Sequence, residues 1–429
     1  MDAPRRYKHE IISHMAHRTV FILGAGASKE AGAPLMRDFL DVADVVRESQ
    51  PTGSQTREYF DLVFRAIAEL DPVFAKSHIE VENIESIFAA FEMAELFGRL
   101  GSLTQAEVGR LTSAIKSVIV TTLEARLKFP TSGAQVLPPR PYDEFVKLVR
   151  EIREPRVISG AARPPAEVTV MTFNYELALD CAFHFNRTHA AYCLSPKESE
   201  GSVSLLKLHG SLNWSRCKKC GMIGAVPFDQ LLAGQNLPLD PYGRSGEVEL
   251  SLSTRLPPCA SCGVASTPEP LIIPPTWNKT QHYAEIRNVW SVAARHLSEA
   301  ESIVVIGYSL PDTDHFFHYL YALGSVGTTR LKRFLIFNPD STSGGSVRPA
   351  SWTCRKRSNE TLQKWLLGEH TAPVVTQNRI LEEVIRRRSP WDSAWLERVG
   401  PWCCWAPVPS PRQSWRKFFL EVHRKSSPP

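Results

Sequence analysis

The sequence predicts an α/β protein in which a parallel sheet is covered by helices on both faces. Five runs rich in Val, Ile, Leu and Phe are bounded by glycine or polar residues, which is typical of fully buried strands. Helical patterns separate these runs, as expected for parallel strands that are joined by crossover connections. The predicted strands cover residues 19–23, 168–172, 203–208, 303–306 and 334–337.

The first predicted strand runs directly into the glycine-containing segment 24–28, whose sequence is GAGAS. A helix with an apolar face follows and begins at Pro34. Glycines in such a turn let backbone N–H groups approach a phosphate, and a helix N-terminus adds a favourable dipole. The spacing is not G-x-G-x-x-G, because the next glycine is Gly32, so a plain strand–turn–helix unit remains an alternative.

Polar residues follow the other four predicted strands: Asn174, His209, Ser309 and Asn338. In an open parallel sheet, ligands bind at the carboxyl ends of the strands, near a switch point. We therefore expect the glycine turn and these four side chains to surround a single site. The alternative is that each polar side chain only satisfies its own turn, and that His209 is a core histidine.

Residues 55–130 lie between the first two predicted strands and form a segment longer than a single crossover connection requires. Three stretches in it, 57–70, 83–97 and 107–129, have helical periodicity, which predicts a helical insertion. The second stretch carries an apolar stripe, which is more typical of core packing than of a ligand site. The stripe consists of Ile84, Ile87, Phe88, Phe91 and Leu96. The proline-rich segment 138–141 predicts the return to the α/β core.

Two Cys-x-x-Cys pairs lie within residues 215–265, a segment with little periodicity. Cys217, Cys220, Cys259 and Cys262 can supply four thiolates to one zinc ion, which completes a closed tetrahedral shell. A glycine follows the second cysteine of each pair and eases the turn. We expect a small zinc ribbon with a structural metal; two unrelated pairs or a redox motif are the alternative.

Composition places the chain among ordinary globular proteins. It has 429 residues, of which 43% are hydrophobic and 22% charged. It contains no apolar run of the roughly 18 residues that a membrane helix needs, and no apolar region follows the basic N-terminal residues. Nine cysteines, four of them in the two pairs, suit a reducing compartment better than a disulfide framework. We expect a cytoplasmic protein without a membrane partner.

The net charge of +5 is unevenly distributed along the chain. Residues 341–429 carry 15 Lys and Arg against 7 Asp and Glu, whereas residues 1–340 carry 35 against 38. Seven of the ten tryptophans also lie in 341–429, which has no clear strand. This basic C-terminal appendage has no assigned role. A solvated surface is the simplest interpretation, and a nucleic-acid or partner-binding arm or an oligomerisation segment are alternatives.

Six blocks resemble, in the same order, the motifs of the sirtuin superfamily. Segments 24–28 and 32–37 resemble its G-A-G-x-S and G-x-P-x-x-R motifs, and TFNYE at 172–176 resembles T-Q-N-x-D. LHG at 208–210 resembles the catalytic block, and the cysteine pairs lie where sirtuins carry a zinc ribbon. GYSL at 307–310 and FNPD at 337–340 resemble G-T-S-L and I-N-x-E. Agreement in order is far less expected by chance than agreement of one motif.

The resemblance implies a Rossmann-like, NAD-binding catalytic domain over residues 1–340, with NAD as the substrate and a structural zinc ion. It implies that Asn174 and His209 form the central catalytic pair. In sirtuin-like proteins an insertion such as 55–130 typically caps the nicotinamide side of the pocket. The positions that match NAD-binding residues of the family are Gly24, Ala25, Gly26, Ser28, Arg37, Asn174, Glu176, Gly307, Ser309 and Asn338.

Departures from the family pattern bear on the reaction. Leu35 and Met36 replace the usual Asp-Phe, and Glu176 replaces an aspartate, which moves the carboxylate by about one methylene. Sirtuins have a V-V-F-G-E strand that pairs with an acyl-lysine peptide, whereas segment 271–277 reads LIIPPTW. Its two prolines cannot donate ladder hydrogen bonds, which hinders strand addition. The pattern resembles bacterial sirtuin-like proteins, many of which consume NAD in anti-phage defence.

We therefore expect an NAD glycohydrolase that cleaves NAD with water to nicotinamide and ADP-ribose, in a defence or stress response. His209 would act as the general base. An NAD-dependent protein deacylase and a non-catalytic NAD or ADP-ribose sensor are the alternatives, the sensor being favoured by Glu176. Because a constitutive NAD hydrolase would poison its host, we expect an off state that a homo-oligomer, a partner protein or a ligand relieves.

Overall fold

The computed structural model describes residues 17–77, 83–133, 135–154, 156–158, 161–163, 165–195, 202–217, 219–233, 245–250, 259, 261–263, 270–273, 280–308 and 331–337. The expectations for Ser309, Asn338 and the appendage 341–429 fall outside these residues.

The described strands number fourteen. They are β1 (Arg18–Leu23), β2 (Lys128–Ser132), β3 (Gln135–Val136), β4 (Arg156–Ile158), β5 (Ala161–Arg163), β6 (Glu167–Thr172), β7 (Ala190–Ala191), β8 (Val203–Lys207), β9 (Gly210–Arg216), β10 (Ile223–Ala225), β11 (Ser245–Glu249), β12 (Pro270–Ile272), β13 (Ser302–Ile306) and β14 (Arg333–Phe337). The α-helices among the same residues are α1 (Ala25–Ser28), α2 (Phe39–Ser49), α3 (Gln55–Ser77), α4 (Ile84–Phe97), α5 (Gln105–Val108), α6 (Leu111–Arg126), α7 (Arg140–Arg153), α8 (Ala178–Phe185), α9 (Phe228–Ala233) and α10 (Thr280–Glu299).

Within the part of the chain that the structure describes, the central sheet has six strands in the order β14-β13-β1-β6-β8-β7, and every neighbouring pair is parallel. All five predicted strands lie in this sheet, which confirms the predicted fold class. The edge strand β7 was not predicted, because two alanines give no periodicity that a sequence pattern can detect.

Both faces of the sheet are buried. Along β1, Phe21 and Leu23 join one apolar cluster, whereas Val20 and Ile22 join another. The first cluster includes residues of α2, α7 and α8, and the second includes residues of α10. Since successive side chains of a strand point to opposite faces, helices cover both sides of the sheet, as predicted.

Helices α3 to α6 occupy the predicted insertion, although its limits as a domain stay a prediction. Phe60 and Phe91 are fully buried and belong to the same apolar cluster as Phe21 of the sheet. The insertion therefore packs on the core without a boundary of polar residues. The expectation that Leu96 belongs to the buried stripe is wrong: Leu96 is 74% exposed. It follows Phe91 by five residues, which places it about 140° around the helix from the buried face.

A second, antiparallel sheet has the order β10-β9-β12. In the chain, β9 precedes the first cysteine pair, β10 lies between the two pairs, and β12 follows the second pair. Its middle strand β9 begins three residues after β8 ends. A third sheet has the order β11-β2-β3, and β4 pairs with β5. Within the described residues, no helix combines the length and the apolar character needed to cross a membrane.

The turn after β1 is interlocked with the turn after β13 through backbone atoms alone. The N–H groups of Gly24 and Gly26 donate to Ile306 O at 3.0 Å and Gly307 O at 2.9 Å. Gly307 has a φ of +60°, and a Cβ there would lie 2.4 Å from Ala27 N. Only glycine fits this contact, because any side chain would force the turns apart.

Gly307→Ala should therefore destabilise the protein more than the same substitution at a glycine that has a positive φ but no steric conflict. Gly53 is the matched control, since its φ is +78° but no atom of the described residues lies within 4 Å of an added Cβ. We expect Gly53→Ala to lower the free energy of unfolding by about 1 kcal/mol for the backbone conformation alone. Gly307→Ala should cost on the order of 2 kcal/mol more because of the steric conflict. Urea unfolding measures both, and equal losses would contradict the interlock.

Candidate active site

The turns that follow neighbouring strands place the predicted site residues at one edge of the sheet. Strands β1, β6 and β8 are consecutive, and Gly24, Asn174 and His209 each lie one or two residues beyond the end of their strand. Because the carboxyl ends of parallel strands share an edge, the three turns are neighbours.

Three predicted residues meet in a hydrogen-bonded group that we call the Ser28 cluster. The Ser28 hydroxyl donates to Glu176 Oε1 at 2.5 Å. Asn174 Nδ2 donates to Ser28 Oγ at 2.7 Å and to Gly24 O at 2.9 Å. Since a carbonyl oxygen can only accept, the contact with Gly24 O identifies this end of the carboxamide as the NH₂ group. All three side chains are buried.

A fourth member of the Ser28 cluster, Tyr142 of α7, was missed by the sequence analysis. Its hydroxyl lies 2.6 Å from Ser28 Oγ and 3.4 Å from both Glu176 Oε1 and Asn174 Nδ2. Burial and the neighbouring Glu176 raise the pKa of Tyr142 well above its usual value, so the hydroxyl keeps its proton. No motif marks Tyr142, which lies in the first turn of an amphipathic helix.

Glu176 carries a carboxyl group that is surrounded by donors. Burial raises its pKa, while the charge of Lys207 and the hydrogen bonds from Ser28 and Ala178 N–H act against that rise. Oε1 accepts from Ser28, and Oε2 accepts from Ala178 N at 2.5 Å. In the ionised form each of these donors has an acceptor, whereas a proton on Glu176 would compete with Ser28 for the same space. The contacts around this carboxyl group therefore suit the charged form.

His209 is held by aromatic rings and by the chain of β12. Its imidazole packs edge-on against Phe173 at a centroid distance of 5.0 Å and lies 6.1 Å from the ring of Tyr175. Phe173 and Tyr175 are the residues on either side of Asn174, so the loop after β6 contacts His209 directly. The N–H of Ile273 donates to His209 O at 2.8 Å, which ties the turn to β12.

The aromatic contacts continue to the turn after β13. Phe173 stacks on Tyr308 at a centroid distance of 4.4 Å and an interplanar angle of 13°. Tyr308 directly follows Gly307, and both are half-buried. The loops after β6 and β13 are thus connected by a ring stack in addition to the backbone contacts of β1.

The glycines of the first turn have a structural explanation that the sequence left open. The N–H groups of Gly24 and Gly26 are used by the turn after β13, as described above. Ala25 is half-buried, and Arg37 is exposed in a 3₁₀ turn at Met36–Asp38. The roles of these residues in binding a phosphate or NAD stay predictions.

A buried ion pair connects β8 to the elements after β6. Lys207 is fully buried, and its Nζ lies 2.6 Å from Asp180 Oδ2. The same Nζ donates to Glu176 O and to Ser211 Oγ, each at 2.8 Å. Lys207 thus donates two hydrogen bonds, and its contact with Asp180 Oδ2 is an ion pair without hydrogen-bond geometry. A lysine within the apolar run 203–208 was the available sign of this pair, which was not predicted.

The ion pair extends into a structural network away from Asn174. The Tyr192 hydroxyl donates to Asp180 Oδ1, and Asn213 Nδ2 donates to the Tyr192 hydroxyl at 2.9 Å. Asn213 Nδ2 also donates to Val226 O at 2.9 Å, and Asn213 Oδ1 accepts from Ser211 Oγ at 2.7 Å. Burial and Asp180 raise the pKa of Tyr192 well above its usual value. This network links α8 to β9.

The four predicted cysteines converge. Their sulfur atoms all lie within 4.8 Å of one another, with Cys217 and Cys262, and likewise Cys220 and Cys259, 3.5 Å apart. Tetrahedral zinc with four thiolates needs sulfur separations of about 3.8 Å, so the arrangement fits this ion. Gly221 and Gly263 have φ values of +71° and +65°, which gives both pairs the same tight turn.

Electrostatics at the cysteines also suit a cation. Backbone N–H groups of residues 219 and 220 lower the pKa of Cys217 to about 6, and those of 261 and 262 lower the pKa of Cys259. Thiolates are the form that binds zinc. The ribbon strand β9 begins directly after His209 and ends just before Cys217, so the cysteine site holds the far end of the strand that leaves the candidate active site.

No protein-family model and no curated protein matches the chain. Among solved structures, a Sir2 homologue in complex with NAD is 16% identical, with 86% of this chain and 93% of that chain covered and a TM-score of 0.34. A Sir2 enzyme solved to explain mechanism and regulation is 15% identical, with 86% and 97% covered and a TM-score of 0.33. Sir2 bound to an acetylated peptide is 15% identical, with 78% and 86% covered and a TM-score of 0.29. These values are too low to assign an activity.

The cysteine site should hold one zinc ion per chain. Cys220→Ala removes one of four thiolates, so we expect the zinc content of the purified protein to fall below one equivalent after mild chelation. Cys181→Ala is the control, because Cys181 is a buried cysteine of α8 outside the site. Metal analysis of both variants measures this, and equal retention of zinc in the two would refute the assignment.

Removing one partner of the buried ion pair should destabilise the fold strongly. Lys207→Met leaves Asp180 buried without its cation, and we expect a loss of about 3–5 kcal/mol in the free energy of unfolding. The double variant Lys207→Met/Asp180→Leu removes both charges and should recover much of that loss. Denaturant unfolding of the single and double variants gives the coupling energy, and strictly additive losses would contradict a mutually compensating pair.

Proposed function

We propose that the protein is an NAD glycohydrolase that cleaves NAD with water to nicotinamide and ADP-ribose. The observation that carries this proposal is the contact between motif residues from separate strands. Ser28, Asn174 and Glu176 share one buried cluster, and the aromatic neighbours of Asn174 pack on His209. The residues that resemble the NAD-consuming motifs are thus brought together at the carboxyl edge of a parallel sheet, where α/β proteins bind ligands.

The proposed reaction does not need a strong nucleophile. Nicotinamide leaves NAD as a neutral molecule from a cationic ring, and the transition state carries positive charge on the ribose. The protein assists by holding the diphosphate and ribose and by placing dipoles toward the developing charge. In this proposal the Asn174 carboxamide orients the ribose and the attacking water. His209 accepts the proton of that water, a role for which imidazole has a suitable pKa range.

Binding of NAD is assigned to the turns around this pair. Arg37 offers an exposed guanidinium for a phosphate. Ser28 and Glu176 are assigned to the site through the hydrogen bonds by which they hold Asn174 and each other. In this proposal NAD lies against the first turn and the turn after β13, whose spacing is fixed by the packing of Gly24 and Gly26 on Gly307. The full proposed set is Gly24, Ala25, Gly26, Ser28, Arg37, Asn174, Glu176, Gly307, Ser309 and Asn338.

Water is favoured over a peptide as the acceptor by the contacts of Ile273. Addition of a peptide strand needs free backbone groups on the receiving strand. Ile273 uses both of its own groups inside the protein: its N–H donates to His209 O at 2.8 Å, and its C=O accepts from the Tyr175 hydroxyl at 3.2 Å. This argues against the deacylase alternative at the position where sirtuins hold their peptide.

Zinc is proposed to be structural. Four cysteines complete its shell, which leaves no open position for a substrate. Cys217, Cys220, Cys259 and Cys262 would hold the ion and so connect the chain that enters the ribbon through β9 to the chain that leaves it toward β12. A role in a defence or stress response, an activating partner or oligomer, and a cytoplasmic location belong to the same proposal.

Nicotinamide release separates the candidate activities. The purified protein is incubated with NAD alone and then with NAD and an acetylated peptide, and nicotinamide is followed by chromatography. We expect release with NAD alone. Asn174→Ala and His209→Ala should each lower the rate by about 10²-fold or more, because one loses the orienting carboxamide and the other the general base.

Lys147→Ala is a control for that assay, since Lys147 is a partly exposed residue of α7 that pairs with Asp143. It should retain the wild-type rate. Release that depends on the peptide would favour the deacylase, and NAD binding without release would favour the sensor. Full activity in both the Asn174 and the His209 variants would refute the assigned site.

A further inference from the structure

Tyr142 touches three residues of the proposed site without belonging to any of its motifs. It lies in the first turn of α7, the helix that begins at Arg140, and is 3% exposed. The other members of the Ser28 cluster follow β1 and β6, so Tyr142 brings an independent element to the site. Because buried polar groups are normally hydrogen-bonded, each donor and acceptor around the Tyr142 hydroxyl should have a partner.

The positions of the hydrogens in the cluster follow from counting donors and acceptors. Ser28 Oγ has one hydrogen, which Glu176 Oε1 accepts at 2.5 Å. Its two lone pairs then accept from Asn174 Nδ2 at 2.7 Å and from the Tyr142 hydroxyl at 2.6 Å. The capacity of Ser28 is thereby complete, and Tyr142 supplies the third of its three hydrogen bonds.

This arrangement also determines which end of the Asn174 carboxamide is left for a ligand. The two hydrogens of Nδ2 are directed to Gly24 O at 2.9 Å and Ser28 Oγ at 2.7 Å, and the Tyr142 oxygen lies 3.4 Å away on the same side. Three oxygens thus surround the NH₂ group. Among the described residues, Asn174 Oδ1 has no such partner, so the carbonyl oxygen is the end that remains to accept a hydrogen bond.

We propose that Tyr142 is a positioning residue that acts through Ser28. Its hydroxyl holds Ser28 in the orientation that receives the Asn174 NH₂ group, so that Asn174 meets the ribose or the water through Oδ1. This inference rests on the proposed function. It predicts an effect on turnover that exceeds the effect of losing a buried hydroxyl elsewhere in the fold.

Tyr142→Phe and Tyr192→Phe form a matched pair for the test. Each removes one phenol hydroxyl that lies next to a carboxylate, Glu176 in one case and Asp180 in the other, with the ring retained. We expect Tyr142→Phe to lower kcat for NAD about 10-fold with KM changed less than about 3-fold, because the misaligned carboxamide acts on the reacting centre. Tyr192→Phe should change kcat less than about 2-fold.

A double-mutant cycle with Ser28→Ala tests the route of the effect. If Tyr142 acts through Ser28, then adding Tyr142→Phe to Ser28→Ala should lower kcat by less than about 2-fold more. A 10-fold loss of kcat from Tyr142→Phe in the Ser28→Ala background would overturn the positioning role. Equal losses of kcat in Tyr142→Phe and Tyr192→Phe would overturn it as well. In either case, nicotinamide release by the wild type would still support the proposed function.

Failure of the proposed function has a separate signature. If the wild type binds NAD but releases no nicotinamide, the hydrolase assignment is wrong. The variants are then compared by their affinity for NAD, measured by calorimetry. About 10-fold weaker binding in Tyr142→Phe, but not in Tyr192→Phe, would support positioning of Asn174 toward the ribose. Equal affinities in the two variants, or no NAD binding by the wild type, would refute the positioning role.

Discussion

The turns after β1 and β13 pack against each other through backbone atoms, and the positions of the other site residues depend on that contact. Gly24, Gly26 and Gly307 leave no side chain between the two turns, so their hydrogen bonds and van der Waals contacts fix the spacing of the strand ends. The carbonyl of Gly24 is then directed to Asn174, which transfers the fixed position of the first turn to the loop after β6. A rigid edge of this kind can hold polar side chains in one arrangement without a ligand.

Much of the fold could be predicted because its strands are buried on both faces and therefore appear as uninterrupted apolar runs. The meeting of Asn174 with Ser28 was also predictable in outline, since parallel strands bring their carboxyl ends to one edge whatever lies between them in sequence. The cysteine cluster followed from spacing alone, because two Cys-x-x-Cys turns can satisfy one tetrahedral ion.

Other features depend on tertiary contacts that no local pattern contains. Tyr142 looks like any aromatic residue on an amphipathic helix until α7 is packed against the sheet. Gly24 and Gly26 could serve close approach to a phosphate or close approach of two backbones, since both require the absence of a Cβ, and a sequence cannot separate the two. Leu96 is a different case, because its position about 140° around α4 from Phe91 follows from helical geometry alone and predicts its exposure.

The Lys207–Asp180 pair has a consequence for how such a chain can change over generations. With Lys207 fully buried and Asp180 almost so, either residue without the other leaves an uncompensated charge away from water. A variant in which only one of the two residues is substituted folds poorly, so the second substitution has to follow closely on the first. The two positions should therefore vary together among descendants of this chain, although they lie on different elements and are 27 residues apart.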